Sequence, residues 1–310
     1  MRYRVGFFIK VPGELLDFVR AQLPAELELV PVETGSDAEL LAKVPSVDFV
    51  VTGKASAAFI EAGTRLKLIQ HPGVGLDKID LVAAARRGVP VATCPHATTE
   101  SVAEHTLMLM LAVSRRLVEV HHALGAGRWL MWERRLVSHN LRGRTLGIVG
   151  AGRIGRAVAR LAGAFGMNVQ VFDMVDVKEL KRVSLEELYA TSHIISLHVP
   201  LMPETRGMIG AKEFARMKRG AILINCARGE LVDETALHAA LISGQLGGAG
   251  IDVFEREPPD AGNPLLHLPN VIATPHTANG TFESFEARSA FYLRNIQRVL
   301  RDEAPDCVVA

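Results

Sequence analysis

The sequence has few cysteines and no long apolar run. Its three cysteines, Cys94, Cys226 and Cys307, are far apart and show no CxxC spacing, so we expect no disulfide framework and a reducing, cytoplasmic setting. The longest apolar run, residues 107–113, is much shorter than a membrane span, and residues 5–9 are too few for the core of a signal peptide. We therefore expect no membrane association.

An excess of charge of one sign is also absent. The formal net charge is +1, so no strong overall field attracts nucleic acid or an anionic membrane. The hydrophobic fraction of 48% and the charged fraction of 22% are ordinary for a globular protein, and 310 residues suggest two domains. Neither His121-His122 nor Cys94-x-His96 has convincing ligand partners, so no metal is expected.

Short β-rich runs alternate with helical segments along most of the chain, which predicts parallel α/β sheets. We expect strands at 4–9, 28–32, 48–52, 67–70, 144–150, 168–172, 194–197, 221–225, 249–253 and 271–273. Helices are expected at 13–22, 100–120 (one long helix), 152–165 and 282–300. Because the second sheet closes near Thr274, the last helix is expected to return to the first domain.

The clearest motif is the G-x-G-x-x-G run from Gly150 to Gly155 between an apolar strand and an amphipathic helix. Gly150 permits a tight turn, Gly152 lets a pyrophosphate approach the backbone, and Gly155 allows close packing of the helix. The helix N-terminus favours phosphate, Arg153 adds a positive charge, and Ile154 completes the expected cofactor-binding set. A cofactor-free glycine turn and a methyltransferase are the alternatives.

Asp173 ends the strand that follows this helix. A carboxylate there accepts hydrogen bonds from the adenine-ribose hydroxyls and repels a 2′-phosphate, which favours NAD over NADP. Lys178, Lys181 and Arg182 lie nearby in sequence and argue in the opposite direction. We therefore expect an NAD-binding Rossmann-like domain at residues 99–280 and a discontinuous substrate-binding domain at 1–98 plus 281–310, with a cleft between them.

Three later segments each place a polar side chain soon after a predicted strand. They carry Arg228, Glu257 and His276, and ligands of open α/β sheets bind outside the carboxyl ends of strands. These residues are therefore expected to converge, although each alone also fits an ordinary surface position. Glu255 is a rival for Glu257.

With these segments, the chain resembles the D-isomer-specific 2-hydroxyacid dehydrogenase family over nearly its whole length. The resemblance lies in residues 73–80 (GVGLDKID), the glycine fingerprint, His198-Val199-Pro200 with Pro203-Glu204-Thr205, and residues 224–233, 250–258 and 273–278. It implies two similar α/β domains, a D-specific NAD-dependent oxidoreductase, and a homodimer joined largely through the helix at 100–120.

The resemblance also implies roles for the polar residues. Arg228 would grip the substrate carboxylate and polarise the C2 carbonyl, because guanidinium is a planar, permanently charged fork. His276 would exchange the proton on the carbonyl oxygen, with Glu257 orienting its ring and stabilising imidazolium. Val74 and Gly75 would offer backbone N–H groups to the substrate carboxylate.

Further cofactor contacts follow from the same matching. Asp252 would hydrogen-bond the nicotinamide carboxamide, and the remaining expected positions are Val199, Pro200, Thr205 and Ala227. The roles of Lys54, His71, Trp129 and Trp132 stay open.

The expected reaction moves a hydride between NAD(H) and C2 of a small 2-hydroxy or 2-oxo acid, such as glyoxylate or hydroxypyruvate. A phosphoglycerate dehydrogenase is an alternative, although the chain ends without room for a regulatory domain. A formate-type enzyme is disfavoured, because the Glu257–His276 pair differs from that type. An NAD(H)-sensing, corepressor-like binding protein is the alternative of another class.

Overall fold

The computed structural model describes residues 2–310, which form two compact units: the chain up to Thr98 with Thr281–Ala310, and Thr99–Gly280. The strands are β1 (Tyr3–Phe7), β2 (Leu27–Pro31), β3 (Phe49–Val51), β4 (Leu68–Gln70), β5 (Val91–Ala92), β6 (Thr145–Val149), β7 (Asn168–Phe172), β8 (Lys181–Arg182), β9 (Ile194–Leu197), β10 (Ala221–Asn225), β11 (Leu246–Ile251) and β12 (Val271–Ala273). The helices are α1 (Gly13–Gln22), α2 (Asp37–Lys43), α3 (Ala57–Ala62), α4 (Leu81–Arg87), α5 (Thr99–Ser114), α6 (Leu117–Gly125), α7 (Arg153–Ala164), α8 (Leu185–Thr191), α9 (Ala211–Arg216), α10 (Glu234–Ile242) and α11 (Phe282–Leu300).

The first unit contains a parallel five-stranded sheet in the order β2-β1-β3-β4-β5. Because successive side chains of a strand point to opposite faces, Val50 shares a core with Ile60 of α3 while Phe49 shares one with Ile296 of α11. Asn295 of α11 also donates a hydrogen bond from Nδ2 to Oε1 of Gln70 at 2.8 Å, with both side chains fully buried. The last helix is thus held to the first unit by both apolar and polar contacts.

The second unit contains a parallel seven-stranded sheet in the order β12-β11-β10-β9-β6-β7-β8. Its two faces carry separate cores, so that Ile148 and Val149, adjacent in β6, belong to different ones. Helices cover both faces, as expected for parallel sheets. The predicted α/β class with two doubly wound sheets is confirmed.

One predicted helix is wrong in its length. The segment expected as a single helix at 100–120 forms two, α5 and α6, with Arg116 in the left-handed region at φ +56°. The Arg116 guanidinium donates a hydrogen bond to the carbonyl oxygen of Gly247 at 3.0 Å, which anchors the break at the start of β11. The sequence has neither glycine nor proline at this position, so its helical pattern continues and does not indicate the break.

The buried face of α7 consists mainly of small residues. Ala157, Val158, Ala159 and Ala162 are buried, whereas Phe165, which directly follows the helix, is 45% exposed. Small side chains let the helix approach its neighbours closely.

Strand limits agree with the sequence for β7, β9, β10 and β12. The two-residue strands β5 and β8 were not predicted, and β11 begins three residues before the predicted start at 249. The early part of β11 contains Gly247 and Gly248, and a Cβ at Gly248 would lie 2.8 Å from the carbonyl oxygen of Asn270. Gly248 is therefore needed for the close approach of β11 to Asn270. Because glycine has a low strand propensity, the sequence does not indicate a strand at these residues.

In the described part of the chain, residues 2–310, we find no helix long and apolar enough to span a bilayer.

The close packing of α7 on β6 depends on Gly155. A Cβ at this position would lie 2.1 Å from the Gly150 carbonyl oxygen, whereas a Cβ at Gly163 of the same helix would meet no atom within 4 Å. We predict that Gly155→Ala lowers the free energy of unfolding by about 3 kcal/mol, as overpacking against a backbone atom does. The matched control Gly163→Ala should raise it by about 1 kcal/mol, because alanine favours helix.

Chemical denaturation of the two variants checks this prediction. Equal stability of Gly155→Ala and the wild type would contradict it.

Candidate active site

Arg228, Asp252 and His276 follow three neighbouring strands of the second unit. Arg228 lies three residues after β10, Asp252 directly follows β11, and His276 lies three residues after β12. Because β10, β11 and β12 are adjacent and parallel, their carboxyl ends lie at one edge of the sheet. This edge brings the segments together, at the position where open α/β sheets bind their ligands.

The turn that carries Arg228 is shaped by the buried side chain of Asn225. Its Oδ1 accepts a hydrogen bond from the Ala227 N–H at 3.0 Å, and its Nδ2 donates to the Arg228 carbonyl oxygen at 2.8 Å. The next residue, Gly229, passes so close to the β11 exit loop that a Cβ would lie 1.9 Å from the Phe254 carbonyl carbon. The backbone is thus held on both sides of Arg228. The sequence analysis did not identify the role of Asn225 in this turn.

His276 and Glu257 form a hydrogen-bonded pair. The distance between His276 Nδ1 and Glu257 Oε2 is 2.8 Å, and Glu257 Oε1 accepts from the Phe254 N–H at 3.2 Å. A carboxylate only accepts, so Nδ1 carries the shared hydrogen and Nε2 is the ring nitrogen available to a ligand. The side chains are 44% and 29% exposed, so the pair is accessible from solvent.

Glu255, the rival of Glu257, is engaged elsewhere. Its Oε1 accepts from the Glu234 N–H at 2.9 Å, and its own N–H donates to Glu234 Oε1 at 2.7 Å. These contacts join the β11 exit loop to the start of α10. The geometry therefore assigns the histidine partner to Glu257.

Asp252 is the polar residue that directly follows β11. Its side chain is fully buried, and its carboxylate accepts hydrogen bonds from Thr277 N–H at 2.8 Å, Ala278 N–H at 2.9 Å and Thr274 Oγ1 at 2.6 Å. The Asp252 carbonyl oxygen also accepts from the His276 N–H at 2.7 Å. The aspartate therefore binds the loop that presents His276, and its expected contact with the nicotinamide carboxamide stays a prediction.

The glycine fingerprint has the geometry of a phosphate cradle. Gly150 has φ +95°, and a Cβ there would lie 2.7 Å from the His198 carbonyl, so only glycine fits. Gly152 precedes α7, and a Cβ built on it meets no atom within 4 Å, which leaves the approach to the helix N-terminus open. These observations fit a dinucleotide pyrophosphate.

Asp173 lies beside this turn. Its Oδ2 accepts from the Ala151 N–H at 2.6 Å and its Oδ1 accepts from the Val175 N–H at 2.9 Å. Each carboxylate oxygen has a second lone-pair site for a ribose hydroxyl. Of the cations nearby in sequence, Lys181 is paired with Glu187 at 3.4 Å.

The comparisons with known proteins agree with this geometry. Residues 107–278 match the family described as D-isomer specific 2-hydroxyacid dehydrogenase, NAD binding domain. The chain belongs to this family. It therefore contains the family's NAD-binding domain, and the predicted resemblance is confirmed.

Individual relatives are similar over most of the chain. A D-3-phosphoglycerate dehydrogenase of Methanocaldococcus jannaschii is 42% identical over 92% of this chain, which spans only 56% of that relative's length. A glyoxylate reductase of Korarchaeum cryptofilum is 37% identical over 95% of this chain and 89% of its own. The crystal structure of the TT0316 protein from Thermus thermophilus is 38% identical, with a TM-score of 0.90 over 99% of this chain and all of that one.

Val199, Pro200 and Thr205, three further expected cofactor residues, lie in the segment that follows β9. Val199 and Pro200 follow β9, the neighbour of β6, and a Cβ at Gly150 would lie 2.9 Å from Val199 Cγ1. Thr205 donates from Oγ1 to the Pro200 carbonyl oxygen at 2.7 Å and accepts from the Met202 N–H at 2.8 Å. Its hydroxyl thus closes the loop that follows β9.

Val74 and Gly75 lie in the turn after β4 of the first unit. Val74 is 48% exposed, and His71 Nδ1 accepts from the Gly73 N–H at 2.9 Å, so the imidazole shapes this turn. Lys54 forms an ion pair with Asp37 at 2.7 Å.

His105 is a residue of the second unit that sequence reasoning missed. Its Nε2 lies 3.0 Å from Thr274 Oγ1 and 3.5 Å from Asp252 Oδ1. The one available signal was a histidine on a largely buried helix, between the buried Val102 and Leu109, where a polar side chain needs a partner. The partner lies far away in sequence.

His198, directly after β9, is a partly buried base at the start of the loop that holds Val199, Pro200 and Thr205. Its Nε2 lies 2.8 Å from Ser196 Oγ, and burial lowers the pKa of the imidazole to about 4. Between about pH 6.5 and pH 4, therefore, a histidine in the unfolded chain becomes charged, whereas His198 in the folded protein stays mostly neutral.

We predict that this histidine makes the protein acid-sensitive. Because the folded pKa lies below the unfolded one, its contribution to stability is complete above about pH 6.5 and is lost as the pH falls towards 4. Between pH 7 and pH 4.5 the wild type should lose about 2.5 kcal/mol of unfolding free energy more than His198→Gln does. Urea denaturation at several pH values measures this difference, and parallel losses in the two proteins would refute it.

Proposed function

We propose that the protein is an NAD-dependent D-2-hydroxyacid dehydrogenase, or 2-oxoacid reductase, of a small acid such as glyoxylate or hydroxypyruvate. The observation that carries the proposal is the His276–Glu257 pair at the sheet edge that also carries Arg228. The family match and the glyoxylate reductase relative support the reaction class. The D configuration rests on the family alone.

In this proposal each side chain has one chemical task. NADH supplies a hydride to C2 of the acid when it is bound. The Arg228 guanidinium binds the substrate carboxylate and polarises the C2 carbonyl. His276 donates a proton from Nε2 to the carbonyl oxygen and takes it back in the direction of oxidation, while Glu257 holds the ring through Nδ1 and stabilises imidazolium.

The proposed cofactor residues follow the strands β6, β7, β9, β10 and β11. They are Gly150, Gly152, Arg153, Ile154, Gly155, Asp173, Val199, Pro200, Thr205, Ala227 and Asp252. Asp173 would prefer NAD to NADP, because a carboxylate repels the 2′-phosphate. In the first unit, Val74 and Gly75 are proposed to bind the substrate carboxylate through their N–H groups.

Phosphoglycerate is a second candidate substrate. It is favoured by the phosphoglycerate dehydrogenase relative at 42% identity. The same panel of substrates that tests the main proposal decides between the two.

We also propose a cytoplasmic homodimer. The three cysteines are all free, which fits a reducing compartment. An apolar groove of about 700 Å³ lies along α5, α6 and α7; its lining residues are Glu104, Leu107, Met108, Leu111, Ala112, Arg115, Leu117, Val120, Leu161 and Phe165. Exposed Trp129 (72%) and Trp132 (65%) follow α6, and an apolar surface of this extent is typical of a protein contact.

The enzymatic proposal is tested with a panel of 2-oxo acids, including 3-phosphohydroxypyruvate, each with NADH and NADPH. We predict that His276→Ala lowers kcat by about 10²- to 10⁴-fold, the usual contribution of a general acid–base group. Arg228→Ala should lower kcat/KM for the acid by a similar factor of about 10³, because a charge-assisted bidentate contact is lost. The Kd for NADH, from fluorescence titration, should change less than about threefold in both variants, because neither side chain is proposed to bind the cofactor.

Glu255→Gln is the matched control, since Glu255 is the neighbouring carboxylate that does not contact His276. It should keep wild-type kcat while Glu257→Gln loses activity. Wild-type turnover in His276→Ala would overturn the mechanism, and saturable NADH binding without turnover of any acid would favour a sensor.

The dimer proposal predicts a concentration-independent dimer by analytical ultracentrifugation. Replacing two exposed groove residues, Met108→Glu with Leu117→Glu, should yield a folded monomer, because two charges would be buried at the contact. Val82→Glu is the control, as Val82 is 77% exposed in the first unit. A wild-type monomer, or a dimer that survives the double substitution, would contradict the proposal.

A further inference from the structure

His105 of α5 is a nearly buried histidine outside the proposed catalytic set. Its side chain is 13% exposed, and Nε2 lies 3.0 Å from Thr274 Oγ1 and 3.5 Å from Asp252 Oδ1. Among residues 2–310, it is the one basic side chain within 4 Å of this fully buried carboxylate. A buried carboxylate remains stable as a charged group only when hydrogen-bond donors surround it.

The direction of each hydrogen bond follows from the number of hydrogens. Thr274 has one hydroxyl hydrogen, which points to Asp252 Oδ1 at 2.6 Å because a carboxylate only accepts. The Thr274 oxygen must therefore accept from His105, so Nε2 of His105 carries a hydrogen. The result is a directed series of hydrogen bonds from His105 in α5, through Thr274 after β12, to Asp252 after β11.

This series ends on the loop that presents His276. Asp252 accepts hydrogen bonds from the Thr277 and Ala278 N–H groups. Between Asp252 and these residues in the chain, His276 has φ +53°, a backbone conformation that residues other than glycine adopt at a cost of about 1–2 kcal/mol. The backbone needs outside contacts to stay in this conformation. Asp252 supplies them, and His105 acts on the same carboxylate through Thr274, the residue at the start of this loop.

We propose that His105 is a positioning residue for the reaction: by donating to Thr274, and through it to Asp252, it holds the loop 274–278 so that His276 faces the substrate. This inference rests on the proposed function for its kinetic part. His105 does not touch substrate or cofactor in this role. Its effect is on the placement of the general acid, where an error of about 1 Å can reduce the rate about 10²-fold.

The kinetic test compares His105→Leu, which has no donor, with His105→Gln, whose Nε2 can replace the imidazole donor. We expect His105→Leu to lower kcat about 30-fold, while KM for the acid and Kd for NADH change less than about threefold. His105→Gln should recover kcat to within about fivefold of the wild type. Thr274→Val should match His105→Leu, and the double variant should be no slower than either single one, because both substitutions interrupt one series.

Ser114→Ala is the control on the same helix, since Ser114 is buried and lies at the far end of α5. It should leave kcat at the wild-type value. If His105→Leu also keeps wild-type kcat, or if the His105 and Thr274 effects multiply, the proposal is overturned. If His105→Leu does not fold, the comparison rests on His105→Gln and Thr274→Val.

A second readout does not depend on turnover. Amide hydrogen exchange at Thr277 and Ala278, measured on the full-length protein, should accelerate about tenfold or more in His105→Leu and Thr274→Val but not in Ser114→Ala. Unchanged exchange would refute loop positioning even if kcat fell. Should the wild type lack turnover with every acid, the proposed function fails, and the exchange data alone decide whether His105 holds the loop.

Discussion

The geometry of the candidate site depends on the hydrogen bonds that the buried carboxylate of Asp252 accepts. It lies at the end of β11, has no exposed surface, and accepts three hydrogen bonds from the loop that follows β12. A charge in such a place is tolerated only when its acceptor sites are satisfied. The contacts that satisfy the charge also keep His276 in its left-handed conformation. The stability of the buried aspartate and the placement of the His276 imidazole therefore depend on the same hydrogen bonds.

The parallel sheet supplies the rest of the arrangement. Asn225, Asp252 and the segment after Ala273 are neighbours because β10, β11 and β12 are in register, and each strand ends at the same edge. Backbone packing at Gly229 and the Asn225 side chain then orient Arg228. The proposed mechanism needs a guanidinium and an imidazole with fixed directions, and the sheet edge gives both a rigid base.

The family, the α/β class and the limits of four strands were predictable because they depend on local patterns: alternating apolar runs, a glycine turn between strand and helix, and polar residues after strands. The break at Arg116 was not, since it depends on a contact with the Gly247 carbonyl far along the chain. The choice between Glu255 and Glu257 followed from family resemblance, and geometry gives it a physical reason in the separate contact of Glu255 with Glu234.

By itself the sequence determined which residue types stand at the ends of which strands, and hence the kind of chemistry at the edge of the second sheet. Only the tertiary structure decided that Asp252 turns inward to hold a loop and that His105, far earlier in the chain, lies against the same carboxylate. Hydrogen bonds between distant segments leave no periodic trace along the chain. Spacing therefore reveals where side chains can meet, and the folded backbone determines which of them do.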